Sequence, residues 1–333
     1  MEITVTAPNR IDLAGGTTDL YPLYLLMDGG CTVNAAVTVG SRVTLTYPAA
    51  AGVRVISEDM GDSVHAETPD DLPVDGPLGL LCRAIRALPP CGPAEISTRN
   101  EAPVGSGLGA SSALLVALLK GLTALRKEQM SPETLIELAA SVETATIGVP
   151  AGKQDYIGAL YGGISRIDFG YRGYERRPIP AQEELCDSLE AMMVLSYTGE
   201  GRASGMNNWE VTKAFIDNRD DVRAKLLQIR DIAREMAESL RSKNFDQVPA
   251  LLDQEWNIRR TLAPGVSTAR IEGIMSSARR AGARASKICG AGGGGCLITL
   301  TTTERRAEVE RAIVAAGGEL LQFRIARTGT AVI

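Results

Sequence analysis

The sequence predicts an α+β protein of two domains, on three observations. Strand-like segments crowd the first 60 residues, and long charged helical segments fill much of the second half. No regular strand–helix alternation connects them, which argues against a doubly wound parallel sheet. The 333 residues, 23% charged and 44% hydrophobic, have ordinary globular composition and room for two domains.

The elements follow in order. ITVTAP, TVNAAVTV, RVTLTYP and VRVIS are rich in β-branched residues and punctuated by glycine and proline, so residues 1–60 read as strands. Residues 77–88 read as the first helix, and AEISTRNEA as a strand that runs into the loop VGSGLGASS after Pro103. SALLVALLKGLTALRK predicts a helix with a basic end. SPETLIELAASVETAT predicts the next, with Ser131 as N-cap and Pro132 at the first helical position. The glycine-interrupted VPAGKQDYIGALYGG follows, then a strand, ISRIDFG. In the second half MMVLSY reads as a buried strand, 207–243 as two helices, and 246–262 and 270–281 as one each. SKICG and CLITLTTT read as strands flanking a glycine run, 303–316 as a helix and LLQFRIA as the final strand. The polar RRPIPAQEE suggests a boundary near residue 180, hence domains 1–180 and 181–333.

Charge and rare residues exclude several functions. A net charge of −5 leaves no broad basic footprint for nucleic acid. The start MEITVTAP is strand-like, no signal peptide is apparent, and no apolar run is long enough to cross a membrane. Six cysteines without a CxxC pair read as reduced thiols of a cytoplasmic protein, monomeric or homodimeric. His65 is the only histidine and lies in a polar stretch, where it reads as a solvated loop or strand residue. Two-histidine mechanisms are excluded, and a general base would be a carboxylate.

Two glycine loops and two carboxylates carry the chemistry. Residues 105–110 spell G-x-G-x-x-A and 290–295 spell G-x-G-x-x-G, but the second leads into a strand and the first follows no βαβ unit. Neither ends in the G-K-[ST] of a Walker loop. The first opens a helix at Ser111 and Ser112, where free amides and the positive helix end suit a triphosphate; a serine-capped turn is the alternative. Glu143 shares a helix face with Ile136, Ala139 and Ala140, so its carboxylate needs a partner or a metal unless it reaches solvent. Asp155 follows Gly152-Lys153-Gln154, where Lys153 could keep it ionised; a helix cap is the other reading.

Together these segments resemble the kinases of the galactokinase, homoserine kinase, mevalonate kinase and phosphomevalonate kinase (GHMP) group, whose three motifs occur here in family order. Ala7-Pro8-Asn9-Arg10-Ile11-Asp12-Leu13-Ala14-Gly15-Gly16-Thr17-Thr18-Asp19 resembles the first motif. Pro103-Val104-Gly105-Ser106-Gly107-Leu108-Gly109-Ala110-Ser111-Ser112-Ala113 resembles the phosphate-binding second, and Gly290-Ala291-Gly292-Gly293-Gly294-Gly295 the third. GKQD at 152–155, YTGEGRAS at 197–204 and CGAGGGGC at 289–296 are most similar to the sugar-kinase branch containing D-glycero-D-manno-heptose 7-phosphate kinase.

The resemblance implies a ribosomal-protein-S5-like first domain, a ferredoxin-like second domain and an active site between them. It implies Asp155 as catalytic aspartate, Arg10 beside the reacting hydroxyl, Glu143 and Ser111 as Mg²⁺ ligands, and Pro103, Gly105–Ala110, Ser111 and Ser112 around ATP. It places Gly15, Gly16, Thr17 and Asp19 against a sugar or sugar phosphate, with Thr198, Arg202, Gly292 and Gly293 closing that side. Lys153, Arg202 and Lys287 could hold a substrate phosphate or make structural ion pairs. Galactokinases carry Glu-His where this chain has Gly16-Thr17, the mevalonate branch a lysine at Thr6, and the heptose kinases Ser at Asp12 and Gly at Thr17 or Thr18. The expected reaction is phosphoryl transfer from ATP to a sugar hydroxyl, with the anomeric hydroxyl of a heptose 7-phosphate as leading candidate. A mevalonate-type kinase, a non-catalytic nucleotide or sugar sensor and an NAD-dependent oxidoreductase are the rivals.

Overall fold

A computed structural model describes residues 1–180, 183–201, 204–219 and 221–333. The first half contains β1 (Glu2–Ala14), α1 (Leu23–Leu26), β2 (Gly30–Thr46), β3 (Val53–Ser57), β4 (Asp62–Ala66), α2 (Gly79–Ala87) and β5 (Ala94–Asn100). α3 (Ala110–Arg126), α4 (Pro132–Ile147), α5 (Gln154–Tyr161), β6 (Ile164–Gly170) and β7 (Gly173–Ile179) complete it. Then come α6 (Glu183–Met192), β8 (Met193–Tyr197), α7 (Ser204–Ile216), α8 (Val222–Arg241), α9 (Val248–Arg259), α10 (Ala269–Arg280) and β9 (Ala285–Ile288). β10 (Cys296–Leu300), α11 (Arg306–Ala315), β11 (Glu319–Leu321) and β12 (Ala331–Val332) end the chain.

Two sheets organise these elements. The larger runs β12-β1-β2-β5-β3-β4, with β6 and β7 continuing from the other half of β2. β2 is long enough to serve two partners: Gly30–Ala35 pairs with β6 and Ser41–Thr46 with β5. The smaller sheet runs β11-β8-β10-β9, all antiparallel. In chain order that is 4-1-3-2, the ferredoxin-like arrangement, with α7 to α10 crossing between its first two strands and α11 between its last two.

Packing joins the sheets into one body. β1 is buried at every position from Ala7 to Ala14, which marks it as a central strand covered on both faces. α3 lies against β1 and β2, so closely that a Cβ on Gly121 would fall 2.4 Å from Leu45 Cδ1. Ile11, Leu13 and Val33 of the larger sheet share a core with Leu195 and Ile298 of the smaller and with Ile232 and Met236 of α8. The glycine loop of residues 103–109 lies at this seam, with Leu108 in the shared core.

The structure departs from the sequence reading at several places. α1 precedes the expected first helix. VPAGKQDYIGALYGG contains α5, whose Gly158 lets the helix pass within 3.1 Å, measured from a built Cβ, of Arg10 Cβ. The segment read as a polar linker begins inside β7, an exposed strand paired on one side to β6, and its Glu183 and Glu184 open α6. LLQFRIA divides between the sheets: Leu320 and Leu321 pair with β8, while Ile325 bridges Val37 and the Ala326 amide donates to Ala36. The division at 180/181 abuts residues 181–182, which lie outside the described residues. His65 is an exposed residue of β4.

Candidate functional site

A cleft of about 310 Å³ opens between the glycine loop of residues 103–109, the first motif and α5. Gly105, Gly107 and Gly109 have φ of +71°, +72° and +71°, left-handed values that glycine adopts without strain. Between them Ser106 and Leu108 turn inward and are buried. Gly109 is the N-cap of α3 and offers no side-chain cap. The serines therefore do not close the helix end, and the first-turn amides stay available to an anion. The third motif buttresses this loop: Gly290 abuts Gly107, and the Cys296 amide donates to the Ser106 carbonyl at 2.6 Å. β10 follows the third motif and α4 follows α3, so neither glycine run opens a dinucleotide-binding βαβ unit.

Asp155 faces the loop from the first turn of α5, where the helix dipole favours a carboxylate. Lys153, not Asp155, occupies the N-cap position. A Cβ on Gly109 would sit 3.1 Å from the Asp155 carboxylate, so any larger residue there would crowd it. Arg10 of β1 gives both Nε and Nη2 to Asp155 Oδ1 at 2.6 Å and Nη1 to the Gly107 carbonyl at 2.6 Å. Burial works against the Arg10 charge, but the facing Asp155 carboxylate outweighs it and leaves the guanidinium pKa raised. Arg10 is thus the charged partner of Asp155. The expected partner, Lys153, instead salt-bridges Glu137 of α4.

Glu143 meets Ser111 and Ser112 across the helix ends. Ser111 Oγ donates to Oε1 at 2.6 Å, Ser112 Oγ to Oε2 at 2.9 Å, and the Tyr156 hydroxyl also donates to Oε2. Burial pushes the Glu143 pKa up, the Ser111 and Tyr156 hydroxyls pull it down, and the net direction is upward. The apolar helix face that suggested an unpaired carboxylate is indeed buried at Ile136, Ala139 and Ala140. Three hydroxyls, of which Tyr156 has no sequence signal, satisfy the carboxylate. Among the described residues no group of three or more His, Cys, Asp or Glu side chains could hold a metal ion. Mg²⁺ needs none: it takes one or two carboxylates and completes its shell with phosphate and water oxygens. The hard oxygens of Glu143 and Ser111 beside the phosphate loop fit that habit.

The other end of the cleft is built on the first motif. Thr17 holds φ at +73°, a strained conformation for a β-branched residue, and Gly15 is close enough to β2 that a Cβ would overlap the Cys31 carbonyl. Arg259 of α9 pins this turn, donating to the Gly16 carbonyl at 2.7 Å and to Thr17 Oγ1 at 3.2 Å. Its remaining contacts go to Glu255, which also meets Lys287 at 3.3 Å; Lys287 in turn pairs with Asp12 at 2.9 Å. Lys287 is fully buried in these pairs, which makes it a structural cation. Glu255 and Arg259 escaped the sequence reading, where they look like an ordinary i, i+4 helix pair.

Asp19 accepts the Gln154 amide at 3.0 Å, and Gly152 leaves no room for a side chain over it. Thr198 is buried, its hydroxyl on the Glu200 carbonyl, and Gly292 and Gly293 pack on Val266; none of the three is among the lining residues. Arg202 lies outside the described residues.

Burial, and next the Asp155 charge, raise the Asp19 pKa from 3.8 to about 6. Below the unfolded value both states hold the proton; between about 4 and 6 only the native state does, so stability falls as pH rises through that window. Asp19→Asn removes the effect. Its stability relative to wild type is expected to be on the order of 2 kcal/mol better at pH 8 than at pH 4, read from urea unfolding at the two pH values. An equal difference at both would contradict the assignment.

The family model for the GHMP kinase N-terminal domain matches residues 78–163, and that for the GHMP kinase C-terminal domain matches 236–319. A bifunctional fucokinase/GDP-fucose pyrophosphorylase of Arabidopsis thaliana is 26% identical over 91% of the chain, which spans only 30% of that protein's length. A D-glycero-alpha-D-manno-heptose 7-phosphate kinase of Campylobacter jejuni is 25% identical over 98% of the chain and 97% of its own. A mevalonate kinase of Thermococcus sibiricus is 30% identical over 70% of the chain and 67% of its own.

Proposed function

Since the chain belongs to the GHMP kinases, ATP-dependent phosphotransferases with an alcohol acceptor, we propose that it transfers the γ-phosphate of ATP to a hydroxyl group of a sugar. The observation that carries this reading is the Asp155 carboxylate, held by Arg10 against the uncapped N-terminus of α3. A carboxylate there can take the proton of an attacking hydroxyl beside the place where a γ-phosphate would lie. Backbone amides of residues 105–112 cradle the phosphates, and Ser57, Met60, Leu78 and Leu81 wall the same cleft where a base would stack. Arg10 orients Asp155 and offers its charge to the transferring group. Glu143 and Ser111 would hold Mg²⁺, which when bound neutralises phosphate charge. Thr17 and Asp19 fix the acceptor. The fucokinase and the heptose 7-phosphate kinase align over nine-tenths of the chain or more and are named for sugar kinases, whereas the Thermococcus sibiricus mevalonate kinase aligns over 70%. Those two differ in whether the sugar in the name already carries a phosphate.

A panel of sugars and sugar phosphates with an ATP-consumption readout tests the reading: at least one acceptor is expected to stimulate ATP consumption. In Glu143→Ala, turnover should fall by about 10² or more and the Mg²⁺ dependence of ATP affinity should disappear, with the circular dichroism spectrum retained. Wild-type turnover and unchanged metal dependence would remove Glu143 from the site.

A further inference from the structure

Among the described residues, the acceptor end of the cleft carries more carboxylates than cations, and those cations are engaged. Among the described residues that line it, Asp12, Asp19 and Asp155 accompany only two guanidiniums, Arg10 and Arg259. Arg10 spends Nε and Nη2 on Asp155 and Nη1 on the Gly107 and Cys289 carbonyls. Arg259 gives Nε and Nη2 to Glu255, Nη2 also to the Gly16 carbonyl, and Nη1 to Thr17. Lys287, behind the wall, is shared by Asp12 and Glu255, and Lys153 is held by Glu137. The spare hydrogen-bonding capacity runs the other way: Asp12 Oδ1 and Gln154 Oε1 are buried acceptors without a donor. Buried acceptors of that kind are costly until a donor reaches them, and sugar hydroxyls are donors.

We propose that the acceptor is an unphosphorylated, hydroxyl-rich sugar, recognised by the carboxylate of Asp19 and the side-chain carbonyl of Gln154, and that like charge at this end disfavours a sugar already carrying phosphate. The inference rests on the sugar-kinase reading and departs from the heptose 7-phosphate suggested by the motifs. A phosphate dianion here would face three carboxylates, while among the described residues Arg259 and Lys287 stay tied in pairs and Arg10 is committed to Asp155 and the transferring group. Hydroxyls instead form charge-assisted bonds to the same carboxylates without adding charge.

The test uses matched pairs, hexoses and heptoses each beside its own 6- or 7-phosphate, with ATP consumption followed at saturating Mg-ATP. A free sugar is expected to exceed its phosphate in kcat/KM by about tenfold or more, the size of a modest charge penalty. Inorganic sulfate at equal ionic strength should leave the KM for that sugar unchanged. Preference for the phosphorylated member, or sulfate competing with the sugar, overturns the proposal while leaving the kinase reading intact. If that preference vanishes in Arg202→Ala, the anion site lies at residue 202 and the proposal is overturned for that reason. Transfer to no member of any pair overturns the kinase reading, and the inference with it.

Discussion

Asp155→Asn is expected to fold with near-native thermal stability, to bind ATP and to lose at least about a hundredfold in turnover. The amide preserves size and most hydrogen-bonding capacity, and position 155 is not the N-cap of α5, so the helix end is little disturbed. What it removes is the charge that Arg10 holds and the proton affinity an attacking hydroxyl needs. General-base contributions typically run to about 10²–10⁴-fold. Melting temperature, ATP titration calorimetry and steady-state turnover together separate these effects. Turnover near wild type would defeat the assignment. If the mutant unfolds, Asp155→Glu serves as the second probe: it retains the charge but displaces it toward the loop, where the 3.1 Å clearance to a Cβ at Gly109 shows how little space remains.

Lys287→Met should cause the largest loss of stability, about 3–5 kcal/mol by chemical denaturation, because it leaves two buried carboxylates facing each other. Lys287 and Glu255 are fully buried and Asp12 nearly so, which leaves water little access to compensate. Burial tends to raise the Glu255 pKa, but the Arg259 and Lys287 charges outweigh it and hold the carboxyl below its usual range. Removing one cation weakens that hold, and adding Asp12→Asn to Lys287→Met should recover part of the stability. A single variant as stable as wild type, or no recovery in the double, would show that the pairs contribute little.

The separation between what was legible in sequence and what was not follows from the range of the forces involved. α3 and α4 were readable because periodicity, the Ser131 cap and the proline after it act within one or two turns; the structure keeps them at Ala110–Arg126 and Pro132–Ile147, with Ser131 Oγ accepting the Thr134 amide. The glycines at 105, 107 and 109 were readable as a tight loop because only glycine adopts its left-handed turns freely. β7 was not: as an exposed edge strand containing Pro178 it has the composition of a linker, and only its pairing with β6 makes it a strand.

At the site, the sequence by itself singled out Asp155, Glu143, Ser111, Arg10 and Asp19, each through a local pattern or a motif. Only the tertiary structure decided whom they meet. Arg10 reaches Asp155 across 145 positions, and Ser111 reaches Glu143 across 32. Arg259 holds Gly16 across 243, and Lys287 holds Asp12 across 275. No propensity or period acts over such separations. Those partners are chosen by the register of β1 on β2 and by the shared core that seats α8 and the smaller sheet against them, and so the charge of the acceptor end is a property of the fold.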